Sequence, residues 1–220
     1  MTPTLSGPLL PPKSGGKAKQ VMLLLHGYGA DGNDLIGLGW QWRELFPDMV
    51  FVAPNAPEVC AQNPGGYQWF PLNVDRIKGR IEGAEAARPV LINFLIDLWA
   101  QTGLGPRDTI ITGFSQGAMM ALHLGTSLDQ PLKAIVAFSG ALIPPEGFAS
   151  GRFAKPPVAL VHGEVDQVVD PDLSRESAQV LADAGFEVRL HISPGAGHGI
   201  APDGLQFATQ FLLWATTPKA

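Results

Sequence analysis

Short apolar runs recur along the chain, and helix-type stretches separate them. The runs fall at 21–25, 49–53, 109–112, 134–138 and 158–162, the second of them stopped by Pro54. Runs this short and this apolar predict strands buried on both faces. The run at 186–192, Phe186-Glu187-Val188-Arg189-Leu190-His191-Ile192, alternates instead, which predicts a strand at a sheet edge. Helices are predicted near 82–102, 116–128, 173–184 and 205–214. Apolar strands alternating with helices predict the α/β class, with a mostly parallel central sheet covered by helices on both faces. No internal repeat and no shift in composition divides residues 1–220, so one domain is expected, with residues 1–19 as an extended N-terminal segment rich in Pro, Gly and Ser. Residues 57–79 read as a long loop. Ligands of open α/β sheets bind where loops leave the carboxyl ends of the strands, so this loop is a candidate wall or lid.

Composition narrows the function classes. The chain is 45% hydrophobic and 16% charged, which suits a folded core and not a disordered segment. Its 220 residues are enough for one large α/β domain. A formal net charge of −5 with no Lys/Arg cluster argues against nucleic acid as a partner. No apolar run reaches the roughly 18 residues of a membrane span. The N-terminal residues lack the apolar stretch of a secretory signal. The single cysteine, Cys60, permits no internal disulfide, which favours a reducing, cytoplasmic setting. No His, Cys, Asp or Glu grouping has metal-ligand spacing, so no metal is expected. No phosphate-binding G-x-x-x-x-G-K-[ST] motif occurs, and Gly27-x-Gly29 lacks the third glycine of a dinucleotide fingerprint.

The chemistry centres on Gly113-Phe114-Ser115-Gln116-Gly117. The order G-x-S-x-G occurs by chance in a chain with 26 Gly, but here a strand-type run precedes it and a helix-type run follows. Strand, sharp turn and helix with a serine at the apex form a nucleophile elbow. The serine takes a strained conformation that lifts its hydroxyl clear of the sheet, and the flanking glycines avoid a clash in the turn.

A serine hydroxyl needs a base, and the base needs an orienting acid. In this architecture the chain order is Ser, then Asp or Glu, then His. His26 precedes the serine and His123 lies on the helix leaving it. His162 and His191 sit inside strand runs, where a structural role is the simpler reading. His198 remains, in a glycine-rich loop just past the last strand. Asp166 lies four residues past the strand 158–162, with Val168 and Val169 behind it to bury the loop. Glu164 is closer to the strand end, and Asp170, before Pro171, suits a helix N-cap. The oxyanion hole needs two N–H donors. One belongs to Gln116, after the nucleophile, and the other to Tyr28, in the glycine-flanked loop after the first strong strand. Trp69, Phe70 and Leu72 supply apolar surface for an acyl chain, or else pack in the core or at an oligomer contact.

Leu25-His26-Gly27-Tyr28-Gly29-Ala30-Asp31, Pro54-Asn55-Ala56-Pro57, Trp69-Phe70, the serine motif, His162-Gly163-x-x-Asp166 and Gly197-His198 together resemble the phospholipase/carboxylesterase group of α/β-hydrolases, which includes the acyl-protein thioesterases and small bacterial carboxylesterases. The resemblance spans roughly residues 21–214. It implies the α/β-hydrolase fold and hydrolysis of carboxylic esters, thioesters or lysophospholipids. It also implies Ser115, Asp166 and His198 as triad, no cofactor, and the homodimeric state common among related esterases. Tyr28 stands where acyl-protein thioesterases usually carry Leu, and Pro71 where many members carry an acidic residue. Both departures point to a general bacterial carboxylesterase of broad short- to medium-chain specificity. The alternatives are an acyl-protein thioesterase or lysophospholipase, an acyl-transferring or peptide-cleaving enzyme, and a non-catalytic ligand-binding protein on the same scaffold.

Overall fold

The computed structural model describes residues 5–72 and 76–217. In chain order the elements are β1 (Leu9–Leu10), β2 (Gln20–Leu25), α1 (Gly32–Trp42), β3 (Met49–Val52), β4 (Glu58–Cys60), β5 (Asn63–Gln68), α2 (Arg76–Thr102), β6 (Thr109–Phe114), α3 (Gln116–Gly125), β7 (Ala134–Phe138), β8 (Val158–Gly163), α4 (Asp172–Asp183), β9 (Val188–Ser193) and α5 (Pro202–Thr216). Seven strands form one sheet in the order β1-β3-β2-β6-β7-β8-β9. All neighbours are parallel except β1, which runs antiparallel to β3. The alternating run near the C-terminus is indeed an edge strand, β9. This is the α/β-hydrolase fold.

The two faces explain why the inner strands are apolar throughout. Leu23, Leu25, Ile111, Ile135 and Leu160 point to one face and meet Leu91, Leu95, Met120 and Leu181 of α2, α3 and α4. Their chain neighbours Met22, Leu24, Ile110, Val136 and Val161 point to the other and meet Leu35, Trp42, Phe211 and Leu212 of α1 and α5. Each such side chain, fully buried, contributes about 1.5–3 kcal/mol.

The structure corrects the sequence reading in four places. Helix α1 has no counterpart in it, because Gly32, Gly37 and Gly39 dilute the helical pattern. The signal that does exist is Asp31, whose carboxylate caps the helix by accepting from the Asn33 N–H at 2.8 Å. Helix α2 starts at Arg76 and not near 82. The N-terminal segment is not simply extended: it carries β1, with residues 1–4 outside the described residues. Residues 57–79 are not one long loop either, for they hold the antiparallel hairpin β4–β5, irregular between Val59 and Cys60. Residues 73–75 lie outside the described residues. Among the described residues, no helix is long and apolar enough to cross a membrane.

Candidate active site

Ser115 sits between β6 and α3 with φ 53° and ψ −117°, a backbone conformation a non-glycine residue holds only under strain. Its N–H donates to the Phe138 carbonyl of β7 at 2.9 Å, which fixes the turn. The flanking glycines are demanded by contact: a Cβ on Gly113 would lie 2.2 Å from the Gly117 carbonyl oxygen, and one on Gly117 would lie 1.9 Å from the Leu25 carbonyl oxygen.

His198 and Asp166 converge on this serine from loops after β9 and β8. His198 Nε2 is 3.1 Å from Ser115 Oγ, and His198 Nδ1 is 2.7 Å from Asp166 Oδ2. With Nδ1–H donating to the carboxylate, Nε2 is left to accept the serine proton. The Phe114 ring packs on the His198 imidazole at 4.9 Å. The Asp166 carboxylate is fully buried. Burial alone would raise its pKa, but donors from His198 and from the Val169 and Val168 N–H groups outweigh that and hold it below the ordinary carboxylate value. The two backbone donors lie 3.0 Å and 2.8 Å from Asp166 Oδ1. The loop's apolar residues differ from expectation here: Val169 is buried, but Val168 is 68% exposed and lines the cavity.

The rival acids have other work. Glu164 Oε2 accepts from the Gly195 N–H at 2.9 Å, and the Glu164 and Val165 N–H groups donate to Ser193 and Ala196 carbonyls. These bonds tie the loop of Asp166 to the loop of His198. Asp170 Oδ1 accepts from the Asp172 N–H at 2.9 Å, so it serves the first turn of α4, although Pro171 holds the cap position.

A cavity of about 790 Å³ opens over Ser115, with Gly27, Tyr28, Gln116 and His198 also on its wall. Gln116 is the first residue of α3, so its N–H has no partner within the helix. Phe70 and Leu72 line the cavity, with Met119 and Val169. Trp69 does not: it is 2% exposed, and its indole N–H donates to the His26 carbonyl at 2.9 Å beneath the wall. The Tyr28 hydroxyl donates to the Cys60 sulfur, and this bond, with burial and charge adding, pushes the phenol up to about 12.

Several residues at this site have no place in the sequence reading, which assigns Gln116 only its backbone. The Gln116 side chain accepts from the Trp69 N–H at 2.9 Å and donates to the Phe70 carbonyl at 2.7 Å. His26 holds the Tyr28 loop: its Nδ1 donates to the Gly27 carbonyl at 2.8 Å and its Nε2 accepts from the Ala56 N–H at 3.0 Å. The hairpin also braces that loop. The Gly29 N–H donates to the Tyr67 carbonyl, the Tyr67 N–H to the Ala30 carbonyl, and the Asn63 side chain to the Gly29 carbonyl. The His26-Gly27 pair at a strand end was the visible cue; the hairpin contacts carry none. His162 Nε2 lies 3.1 Å from Asp166 Oδ2. Among the described residues no cluster of three or more His, Cys, Asp and Glu could hold a metal.

Known proteins resemble this chain over nearly its whole length. The phospholipase/carboxylesterase family model matches residues 12–215. Esterase YpfH of Escherichia coli (strain K12) is 31% identical over 202 residues, covering 92% of this chain and 85% of that protein. Acyl-protein thioesterase 1 of Gibberella zeae is 28% identical over 217 residues, covering 90% of this chain and 91% of that protein. The crystal structure of esterase PE8 is 58% identical and superposes with a TM-score of 0.93, covering 96% of this chain and 99% of that one.

Proposed function

The chain belongs to the phospholipase/carboxylesterase family and is a carboxylic-ester hydrolase, and from that premise we propose that Ser115 is its nucleophile, His198 its general base and Asp166 the acid that orients the base. The observation that carries this reading is the unbroken chain of contacts from Asp166 Oδ2 through His198 to Ser115 Oγ, at 2.7 Å and 3.1 Å. Ser115 Oγ attacks the ester carbonyl carbon while its proton passes to His198 Nε2. The oxyanion formed is held by the Tyr28 and Gln116 N–H groups. The C–O bond to the leaving alcohol then breaks, and His198 returns the proton to that oxygen. Water, deprotonated by the same nitrogen, cleaves the acyl-enzyme and restores Ser115.

The acyl group is read as short to medium in length. Support comes from the cavity of about 790 Å³ and its apolar wall of Phe70, Leu72, Met119 and Val169. A thioester reading follows from the 28% identity to an acyl-protein thioesterase 1, and both substrates share the same first step. We also read residues 1–220 as one domain. The lone cysteine supports a cytoplasmic setting. Ser115→Ala is expected to lower kcat by about 10⁴-fold or more on a short-chain ester and to abolish labelling by a fluorophosphonate. Turnover near that of the native enzyme would overturn the assignment. A kcat/KM comparison across esters and thioesters of increasing chain length ranks the substrate classes.

A further inference from the structure

The triad acid has a second imidazole against it. His162 is the next-to-last residue of β8, its side chain fully buried, and Asp166 lies one short turn beyond. His162 Nε2 faces two acceptors at once: Asp166 Oδ2 at 3.1 Å and the Val169 carbonyl at 2.9 Å. Two lone-pair groups cannot face a third, so Nε2 carries the proton. On the far side of the ring, Nδ1 is 2.6 Å from Ser174 Oγ of α4, and that hydroxyl is 3.0 Å from the Gly140 carbonyl. The hydroxyl donates to that carbonyl and also faces Nδ1, which carries no proton in a neutral ring already protonated at Nε2. Burial lowers the His162 pKa, which agrees with the neutral form.

We propose that His162 is a positioning residue for hydrolysis, donating from Nε2–H to the same Asp166 oxygen that accepts from His198 and so fixing both the aim and the basicity of the triad acid. This rests on the triad assignment above. Asp166 Oδ2 then takes two imidazole N–H groups, and Oδ1 takes the Val168 and Val169 N–H groups. With every face of the carboxylate held, it cannot rotate away from His198. The shared donor also weakens the pull of Oδ2 on the imidazole, making the carboxylate a less basic partner for the protonated base. The titratable groups facing His162 are Asp166 on its own loop and His198 on the loop after β9, and Ser174 is its polar contact from α4.

The test compares His162→Leu, which removes the donor, with His162→Gln, whose terminal amide reaches the Nε2 position. The Leu variant is expected to lose about 10- to 100-fold in kcat with KM little changed. The acidic limb of its kcat/KM profile should move to higher pH, because Asp166, no longer shared, favours the protonated imidazole. The Gln variant should recover most of kcat and return the limb toward its native position. A Leu variant that folds and keeps native kcat and an unmoved limb overturns the proposal. So does a Gln variant as impaired as the Leu variant. If neither variant folds, ¹⁵N NMR of the native enzyme decides: an Nε2–H tautomer at His162 supports the proposal, and an Nδ1–H tautomer overturns it. The triad reading is tested apart, by Ser115→Ala, so loss of activity there with none in the Leu variant refutes only the role of His162.

Discussion

Gln116 grips Phe70: its side-chain amide donates to the Phe70 carbonyl at 2.7 Å while its oxygen takes the neighbouring Trp69 N–H. The residue proposed to supply an oxyanion donor from its backbone therefore also bolts the cavity wall to the elbow. Gln116→Ala keeps the backbone N–H and removes the bolt. It leaves a buried N–H and a buried carbonyl unpaired, at a cost of about 1–3 kcal/mol each. The expected outcome is a lowered Tm and a KM raised more for longer acyl chains than for acetate esters. A chain-length series of KM checks it, and a uniform change across the series would refute the wall's part.

The hairpin braces the Tyr28 loop so closely that a side chain cannot fit between them. A Cβ on Gly66 would lie 2.0 Å from the Gly29 carbonyl oxygen. Gly66→Ala must therefore displace the loop. With displacements near 1 Å costing up to about 10²-fold, kcat should fall by about 10- to 100-fold while fluorophosphonate labelling of Ser115 slows in parallel. Unchanged kcat would separate the hairpin from catalysis.

Strain at the elbow should be visible as stability. A non-glycine residue at φ 53° and ψ −117° costs about 1–3 kcal/mol, and glycine relieves it. Part of the gain is lost because glycine loosens the unfolded chain by about 0.4–1 kcal/mol. Ser115→Gly is expected to be inactive and to melt about 2–4 °C above Ser115→Ala, which keeps the strain. Differential scanning calorimetry of the two variants is the check, and equal melting would mean that the strain is no larger than the ~0.4–1 kcal/mol that glycine loses through the unfolded chain.

Three buried histidines should make the fold acid-sensitive. Burial lowers His26, His123 and His162 below their ordinary 6.5, against hydrogen bonds and nearby carboxylates that pull the other way. The unfolded chain therefore binds protons that the folded one refuses. Their contribution is complete above 6.5 and is lost as pH falls below it toward the lower folded values. The Tm should drop between about pH 7.5 and about pH 5.5. His123→Asn, which can keep the bond to the Ile143 carbonyl, should make the drop shallower. A Tm that is flat over this range would contradict the neutral, buried state.

What the sequence made legible was whatever a short stretch decides by itself. Apolar runs mark β2, β3, β7 and β8 because burial on both faces leaves no room for polar side chains. Ser115, Asp166 and His198 stand out because each follows a strand end, where side chains can converge above the sheet. The hairpin was hidden: Asn63-Pro64-Gly65-Gly66 looks like a breaker, its partner β4 is only three residues long, and the loop that braces it lies more than thirty residues earlier, as the 34-residue separation of Asn63 and Gly29 shows. Trp69 reads as an apolar wall because no local pattern reveals that its indole N–H meets His26. The two roles of Gln116, backbone and side chain, separate only when the residue is seen against Phe70.

Glu164, rejected as the acid, has the broadest effect on how the molecule is divided. Its loop pairs with the loop after β9 through Glu164–Ser193, Val165–Ala196 and Glu164–Gly195 contacts, so the ladder of β8 and β9 continues past both strands. The proposed acid and base thus sit on one contiguous C-terminal stretch, while the proposed nucleophile and amide donors come earlier in the chain. The proposed active site is the seam where these two stretches meet. A change that shifts β8 against β9 alters the spacing of Asp166 and His198; one that shifts β8 against β7 moves that pair together, and the separation between His198 and Ser115 is where it is felt.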